Sequence, residues 1–134
     1  MEDIFVGRIM TADLHTVTPD TLVEDAAQVM LDNDISSVVV VDEENRLEGI
    51  LTTTDFVHIV AKSQPKAETY VSRYMSTDIV TAGAQDTIRD VADAMVDYGF
   101  HHMPVVDEED HVIGIITTAD LTAYLSHVQT PSPS

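Results

Sequence analysis

Two seven-residue stretches carry the residue types best suited to chemistry: Gly49-Ile50-Leu51-Thr52-Thr53-Thr54-Asp55 and Gly114-Ile115-Ile116-Thr117-Thr118-Ala119-Asp120. Each reads Gly-x-x-Thr-x-x-Asp. Thr52 and Thr117 fall where a strand hands over to a helix. Unpaired N–H groups and the positive end of the helix dipole favour an anion there, and a hydroxyl at that point can donate to a phosphate oxygen. Asp55 and Asp120 follow three residues on, in the first turn and on the same face, where a carboxylate can accept from both hydroxyls of a ribose. The glycines let the backbone approach a ligand or a neighbouring strand closely. A plainer role suits the same residues: threonine is a good N-cap, and the helix dipole favours an aspartate in the first turn. On the residues alone, both readings stand.

The elements that position these stretches come from a duplication. Shifting the chain by 65 positions aligns it on itself without a gap, and 19 of the 53 positions from Val6 to His58 are identical. Each copy predicts the order β-α-β-β-α. In the first, Leu14 to Val17 is extended and Thr18-Pro19-Asp20 turns. Thr21 and Glu24 form a capping box for a helix whose apolar face is Leu22, Ala26, Val29 and Met30. Ser37 to Val41 is a buried strand and Asp42 to Asn45 a polar hairpin. Arg46 to Leu51 returns, and a helix runs from Thr53 to about Lys62. The second copy predicts a strand near Ile79, a helix from Asp86 to Tyr98 stopped by Gly99, strands at His102 to Val106 and Val112 to Ile116, and a helix from Thr118 to about His127. The fold class is α/β (α+β): three-stranded sheets with two helices on one face, the two copies sharing a core about a pseudo-two-fold axis. A copy of this length is small for folding alone. Residues 5–62 and 71–128 form the two motifs, Ser63-Gln64-Pro65-Lys66 the linker, and residues 129–134 a disordered tail.

Composition removes several function classes. The 134 residues include 24 acidic and 6 basic side chains, a net charge of −18. Phosphate-backbone binding to nucleic acid needs a basic stripe, and none exists; an anionic membrane is disfavoured for the same reason. The absence of cysteine excludes disulfides, thiolate metal sites and a cysteine nucleophile. Met1 to Phe5 lacks the basic-then-apolar pattern of a signal peptide, and no apolar run is long enough to span a bilayer, so a cytoplasmic, soluble protein is expected. So acidic a surface suits a salt-rich cytoplasm, where screening relieves its self-repulsion. No Gly-x-Ser-x-Gly, His-Glu-x-x-His or Gly-x-x-x-x-Gly-Lys-Ser/Thr occurs, and no enzyme is expected. Asp55 and Asp120 sit at two equivalent helix starts, which argues against an acid/base pair. The acidic turns Asp42-Glu43-Glu44 and Asp107 to Asp110 suit a solvated hairpin better than a cation site.

The chain resembles the CBS domain family over about residues 5 to 128, and is similar to stand-alone tandem pairs (Bateman modules) of an archaeal, halophilic type. The resemblance rests on Met10 and Met75 ahead of a strand, on Thr16-Val17-Thr18-Pro19, on His102-Met103-Pro104-Val105-Val106-Asp107, and above all on the twice-repeated Gly-x-x-Thr-x-x-Asp. It implies a regulatory module binding an adenine nucleotide (AMP, ADP or ATP) in the cleft between the motifs. Thr52 and Thr117 would meet phosphate, and Asp55 and Asp120 ribose. Thr16, Val17, Thr81 and Ala82 would contact adenine through their backbone. Ile35 and Phe100 would line the base pocket or simply pack in the core, and Pro104 would lie beside them. His101 and His102 replace Ser36 and Ser37 of the first copy. A basic residue there often meets phosphates in this family, so the second site is expected to be the tighter.

No cofactor is required by this reading, although a triphosphate would need bound Mg²⁺ or K⁺ with so few basic groups nearby. A homodimer formed through the helix faces around Ala26-Val29-Met30 and Ala92-Met95-Val96 is implied, as is a separate effector chain. The alternatives are a structural, dimerising pair with vacant sites, or a pair that binds S-adenosylmethionine or a dinucleotide.

Overall fold

Ser37–Val41 are buried without a break, as expected of a β-branched run covered on both faces. In the computed structural model, which describes residues 4–62 and 69–129, this run is β2. The full order is α1 (Val6–Ile9), β1 (Thr16–Val17), α2 (Val23–Asn33), β2, β3 (Leu47–Thr52), α3 (Thr53–Ala61), a 3-10 turn (Val71–Arg73), α4 (Ile88–Tyr98), β4 (His102–Val106), β5 (Val112–Thr117) and α5 (Thr118–Gln129). The expected linker Ser63 to Lys66 and the tail from Thr130 onward lie outside the described residues. Gln129, expected in the tail, closes α5.

The chain divides into two compact units, and each takes its lead-in from the other copy of the repeat. One, here the Asp55 unit, comprises Leu14–Ile79 with Glu109–Val112. The other, the Asp120 unit, comprises Met1–Asp13, Val80–Glu108 and Ile113–Ser134.

In the Asp55 unit the sheet order is β1-β2-β3. β1 runs parallel to β2, with Val17 opposite Val40, and β3 runs antiparallel to it, with Ser37 opposite Thr52. Val17, Val38, Val40 and Leu51 pack with Val23, Ala26 and Met30 of α2, Ile59 of α3 and Val71. The segment after the 3-10 turn adds to the far edge of β3, where Ile50 and Ser76 exchange backbone bonds of 3.0 and 2.9 Å. The hairpin between β2 and β3 is closed by Asp42 and pairs with the Asp110–Val112 segment, where Leu47 N–H donates to Asp110 O and Val112 N–H to Asn45 O, both at 3.0 Å. Asp42 Oδ1 accepts from Glu44 N–H (2.8 Å) and Arg46 N–H (2.9 Å). The Arg46 amide bond chiefly, with the Glu44 amide and the charges of Arg46 and His111, holds the Asp42 carboxyl below its ordinary 3.8.

The Asp120 unit repeats this plan with a shorter sheet, order β4-β5. Val6, Ala82, Val91, Met95, Met103, Val105 and Ile116 form its core. Thr11 and Ile115 exchange backbone bonds of 2.8 and 2.9 Å, matching Ser76 and Ile50.

The expected strand near Ile79 is reduced to a single parallel bridge at Ala82, and Pro104 supplies the reason. Ala82 N–H donates to Pro104 O (3.0 Å) and Val106 N–H to Ala82 O (2.9 Å). The next bond of a parallel ladder would start from the N–H of residue 104, and proline has none. Val39 stands at the matched position of the first copy, and there the pairing extends to Thr16.

Two helix starts also differ from expectation. Thr21 does not cap α2; the N-cap is Leu22, and Val23 N–H donates to Thr69 O (2.9 Å). Thr21 Oγ1 instead accepts from Thr18 N–H (3.1 Å), as Asp86 Oδ2 accepts from Gly83 N–H (2.8 Å). Both side chains close the preceding turn, so α4 begins at Ile88 with Thr87 as its cap, accepting from Asp90 N–H (3.2 Å). The stop at left-handed Gly99 (φ 74°) falls as expected, and α2 ends likewise at left-handed Asp34 (φ 53°). The helix faces expected to carry surplus apolar surface are largely used internally: Ala26, Met30 and Met95 are buried. Exposed apolar side chains include two matched pairs, Leu31 with Val96 and Val60 with Leu125, beside Phe5, Val57, Tyr70 and Tyr98.

Candidate functional site

In the Asp55 unit, β3 ends at Thr52 and α3 starts at once. Thr52 and Asp55 close a reciprocal capping box. Thr52 N–H donates to Asp55 Oδ2 (2.8 Å), and the Thr52 hydroxyl reaches the same oxygen (3.2 Å). Ser36 O accepts from Thr53 N–H (3.0 Å). Among the described residues, Thr54 N–H of the first turn is left open to an anion.

The Asp120 unit builds the same corner between β5 and α5. Thr117 N–H donates to Asp120 Oδ2 (3.0 Å), and Asp120 N–H donates to the Thr117 hydroxyl oxygen (3.1 Å). His101 O accepts from Thr118 N–H (3.0 Å), which among the described residues leaves Ala119 N–H open. Thr11 of the lead-in adds a bond absent from the sequence reading: its hydroxyl donates to Asp120 Oδ1 at 3.3 Å. The Thr117 hydroxyl accepts within the box, so its own hydrogen remains available to an anion.

The plainer reading of both motifs is therefore realised: each threonine caps its helix and each aspartate answers it. These bonds do not use up the groups. Asp55 and Asp120 are half-buried, not sealed, and a carboxylate oxygen accepts more than one bond.

The glycines have a definite task. A Cβ on Gly114 would stand 2.6 Å from Met10 Sδ and 3.0 Å from Thr11 O; one on Gly49 would stand 2.7 Å from Met75 Sδ and 2.9 Å from Ser76 O. Each motif glycine thus makes room for the methionine and backbone of a lead-in segment. It is a neighbouring strand, not a ligand, that approaches closely here.

The other expected site residues divide by accessibility. Thr16 of β1 is exposed, as is Thr81, which directly precedes the single bridge at Ala82. Val17 and Ala82 are buried, and Ala82 spends both backbone groups on Pro104 and Val106. Pro104 is fully buried; its contribution is the shape of the strand. Ile35 packs half-buried against the core of the Asp55 unit. Phe100 is half-buried and stacks on exposed Tyr98, with ring centroids 5.9 Å apart at 22°. His101 is exposed and His102, the first residue of β4, is half-buried. Burial pushes the His102 imidazole below its ordinary 6.5, and His101 adds in the same direction. The environment of His102 favours the neutral ring. Among the described residues, no group of three or more His, Cys, Asp or Glu is placed to hold a metal ion, and no helix is long and apolar enough to cross a membrane.

The duplicated corner and its strand order coincide with a known family. The model described as CBS domain matches twice, at residues 6–62 and 71–127. The chain belongs to the CBS domain family. As a tandem CBS pair it is similar, at 31% identity over 125 residues, to an uncharacterized 17.7 kDa protein of Acidianus ambivalens, covering 93% of this chain and 75% of that one. It is 30% identical over 122 residues to the homoserine O-acetyltransferase of Methanococcus vannielii, covering 91% of this chain but 25% of the enzyme. This CBS pair therefore spans only a small part of such an enzyme. Among solved structures it is similar to the CBS domain pair of protein MJ0100 in complex with 5-methylthioadenosine and S-adenosyl-L-methionine (TM-score 0.88, 24% identity, 96% of this chain and 100% of that one). It is also similar to CBSX2 in complex with AMP (TM-score 0.82, 23% identity, 93% and 98%).

Proposed function

We propose that this CBS pair is a regulatory module that binds an adenine nucleotide, AMP or ADP more readily than ATP, and that it performs no catalysis. The observation that carries the reading is the Thr117–Asp120 corner. Its hydroxyl hydrogen and the Ala119 N–H converge at a helix start, one turn from a half-buried carboxylate. A phosphate at the first and a ribose at the second account for both groups. The adenosine moiety shared by AMP, 5-methylthioadenosine and S-adenosyl-L-methionine, the ligands of the similar CBS pairs, supports the ribose assignment.

In this reading Thr81 offers adenine its backbone, since that of Ala82 is spent. Phe100, braced by Tyr98, lines the base pocket. A bound phosphate draws a proton onto His102, whose pKa burial has lowered. Thr52, Asp55, Thr16 and Ile35 form the corresponding but weaker site of the Asp55 unit, where the Thr52 hydroxyl is already turned onto Asp55. A triphosphate takes a cation with it. Titration calorimetry with AMP, ADP, ATP and S-adenosylmethionine tests the reading; an Asp120→Ala protein that still binds with unchanged affinity contradicts the ribose role.

Leu31, Val60, Val96 and Leu125 stand out at exposures of 75%, 71%, 81% and 50%, and they support a homodimer of this module. Light scattering on a Leu31→Glu, Val96→Glu protein should then return the mass of a monomer. A separate effector chain reads the bound state. The net charge of −18 supports a salt-rich cytoplasm as its setting, with an unfolding midpoint that climbs from low to molar KCl as the Debye length contracts to about 3 Å. A flat midpoint contradicts that setting.

A further inference from the structure

The Asp120 carboxylate is held at both oxygens, and the second tether comes from outside its own motif. Oδ2 accepts from Thr117 N–H (3.0 Å), and Oδ1 accepts from the Thr11 hydroxyl (3.3 Å). Thr11 is itself fixed by its paired backbone bonds to Ile115, 2.8 and 2.9 Å, and by Met10 seated on Gly114. The strand that carries the motif therefore also sets the position of the hydroxyl that reaches the aspartate.

The Asp55 unit has the same backbone without the same bond. Ser76 matches Thr11 and pairs with Ile50 in the same way. Among the described residues, however, the Ser76 hydroxyl makes no bond to Asp55, whose Oδ2 takes both contacts from Thr52. This difference between the corners lies in one side chain, serine in place of threonine.

Thr11 does not block Asp120. A carboxylate oxygen has two lone-pair directions, so Oδ1 keeps room for a second donor. What Thr11 removes is rotation of the carboxylate plane, a freedom that binding a pair of hydroxyls would otherwise have to freeze. We infer that Thr11 is a positioning residue for diol recognition: it presets the Asp120 carboxylate, so that this unit takes a ribose cis-diol more tightly than the Asp55 unit does. The inference rests on the reading of Asp120 as the ribose acceptor.

The experiment compares AMP with 2′-deoxy-AMP by titration calorimetry, in an Asp55→Asn background that reports the Asp120 unit. With Thr11 in place, AMP binds more tightly than 2′-deoxy-AMP. The contact is long for a hydroxyl on a carboxylate, so the expected effect is moderate: Thr11→Val weakens AMP about three- to tenfold, leaves 2′-deoxy-AMP unchanged, and collapses the ratio between them. Thr11→Ser restores it. Ser76→Ala in an Asp120→Asn background changes neither ligand. An equal loss for both ligands in Thr11→Val marks a merely structural role and overturns the inference, as does an unchanged ratio. If the unsubstituted protein binds neither ligand, the ribose reading itself falls, and the inference falls with it.

Discussion

The Asp55 and Asp120 corners share a motif, a capping box, a methionine seated on a glycine and a two-bond backbone pair with a lead-in segment. They differ in what surrounds the carboxylate. Among the described residues, Asp55 is answered by Thr52 alone, whereas Asp120 is answered by Thr117 and Thr11. His101 and His102 stand beside the second corner where the first has serines, and Pro104 has cut its leading strand to one bridge. Duplication thus preserved the parts that make the corner fold, and divergence altered what surrounds the two carboxylates. The shared parts should respond alike to substitution, and the divergent parts should not.

The largest effect is expected from the matched core residues. Leu51→Ala and Ile116→Ala each remove a side chain with no exposure and should cost about 2–5 kcal/mol. Hydrogen exchange should show protection lost in the unit that carries the change. The glycines come next: alanine at Gly49 or Gly114 pushes on a methionine that can yield and on a backbone oxygen, 2.9 or 3.0 Å away, that cannot. A loss of about 1–3 kcal/mol in chemical denaturation is expected at either position; a neutral outcome would sink the assigned task. Asp55→Ala and Asp120→Ala should each cost about 1 kcal/mol as lost caps, Asp120 somewhat more because Thr11 also loses its partner.

The smallest effect separates the units by pH. His102 has a folded-state pKa below 6.5, so the unfolded chain takes up its proton first as pH falls. Its contribution is intact above 6.5 and is lost as pH drops through the folded value. Urea unfolding between roughly pH 5 and 8 should show that slope, and His102→Gln should flatten it. An unchanged slope in the variant would show that other groups carry it.

Much of the fold was legible because β-branched runs and polar turns mark strands sharply. β2 and β4 fall where their residues predicted them, and β3 and β5 lie within one residue of expectation. The capping chemistry of Thr52 and Thr117 was also legible, as one of two readings. The lead-in exchange was not. It is built from isolated backbone bridges at Thr11 and Ser76, which leave no periodic pattern. α1, at four residues, is too short to show helical spacing. Pro104 was noted as a candidate contact, whereas its missing N–H explains the strand lost near Ile79. Thr11 went unseen because its partner Asp120 lies 109 positions away.

Two like corners in one chain should bind one class of ligand unequally. Titration calorimetry of the unsubstituted protein with AMP at molar KCl, repeated with Asp55→Asn and with Asp120→Asn, tests it most directly. Two classes of site are expected, the tighter lost with Asp120→Asn and the weaker with Asp55→Asn. Two equal classes, or no heat with AMP at high protein concentration, would contradict this expectation.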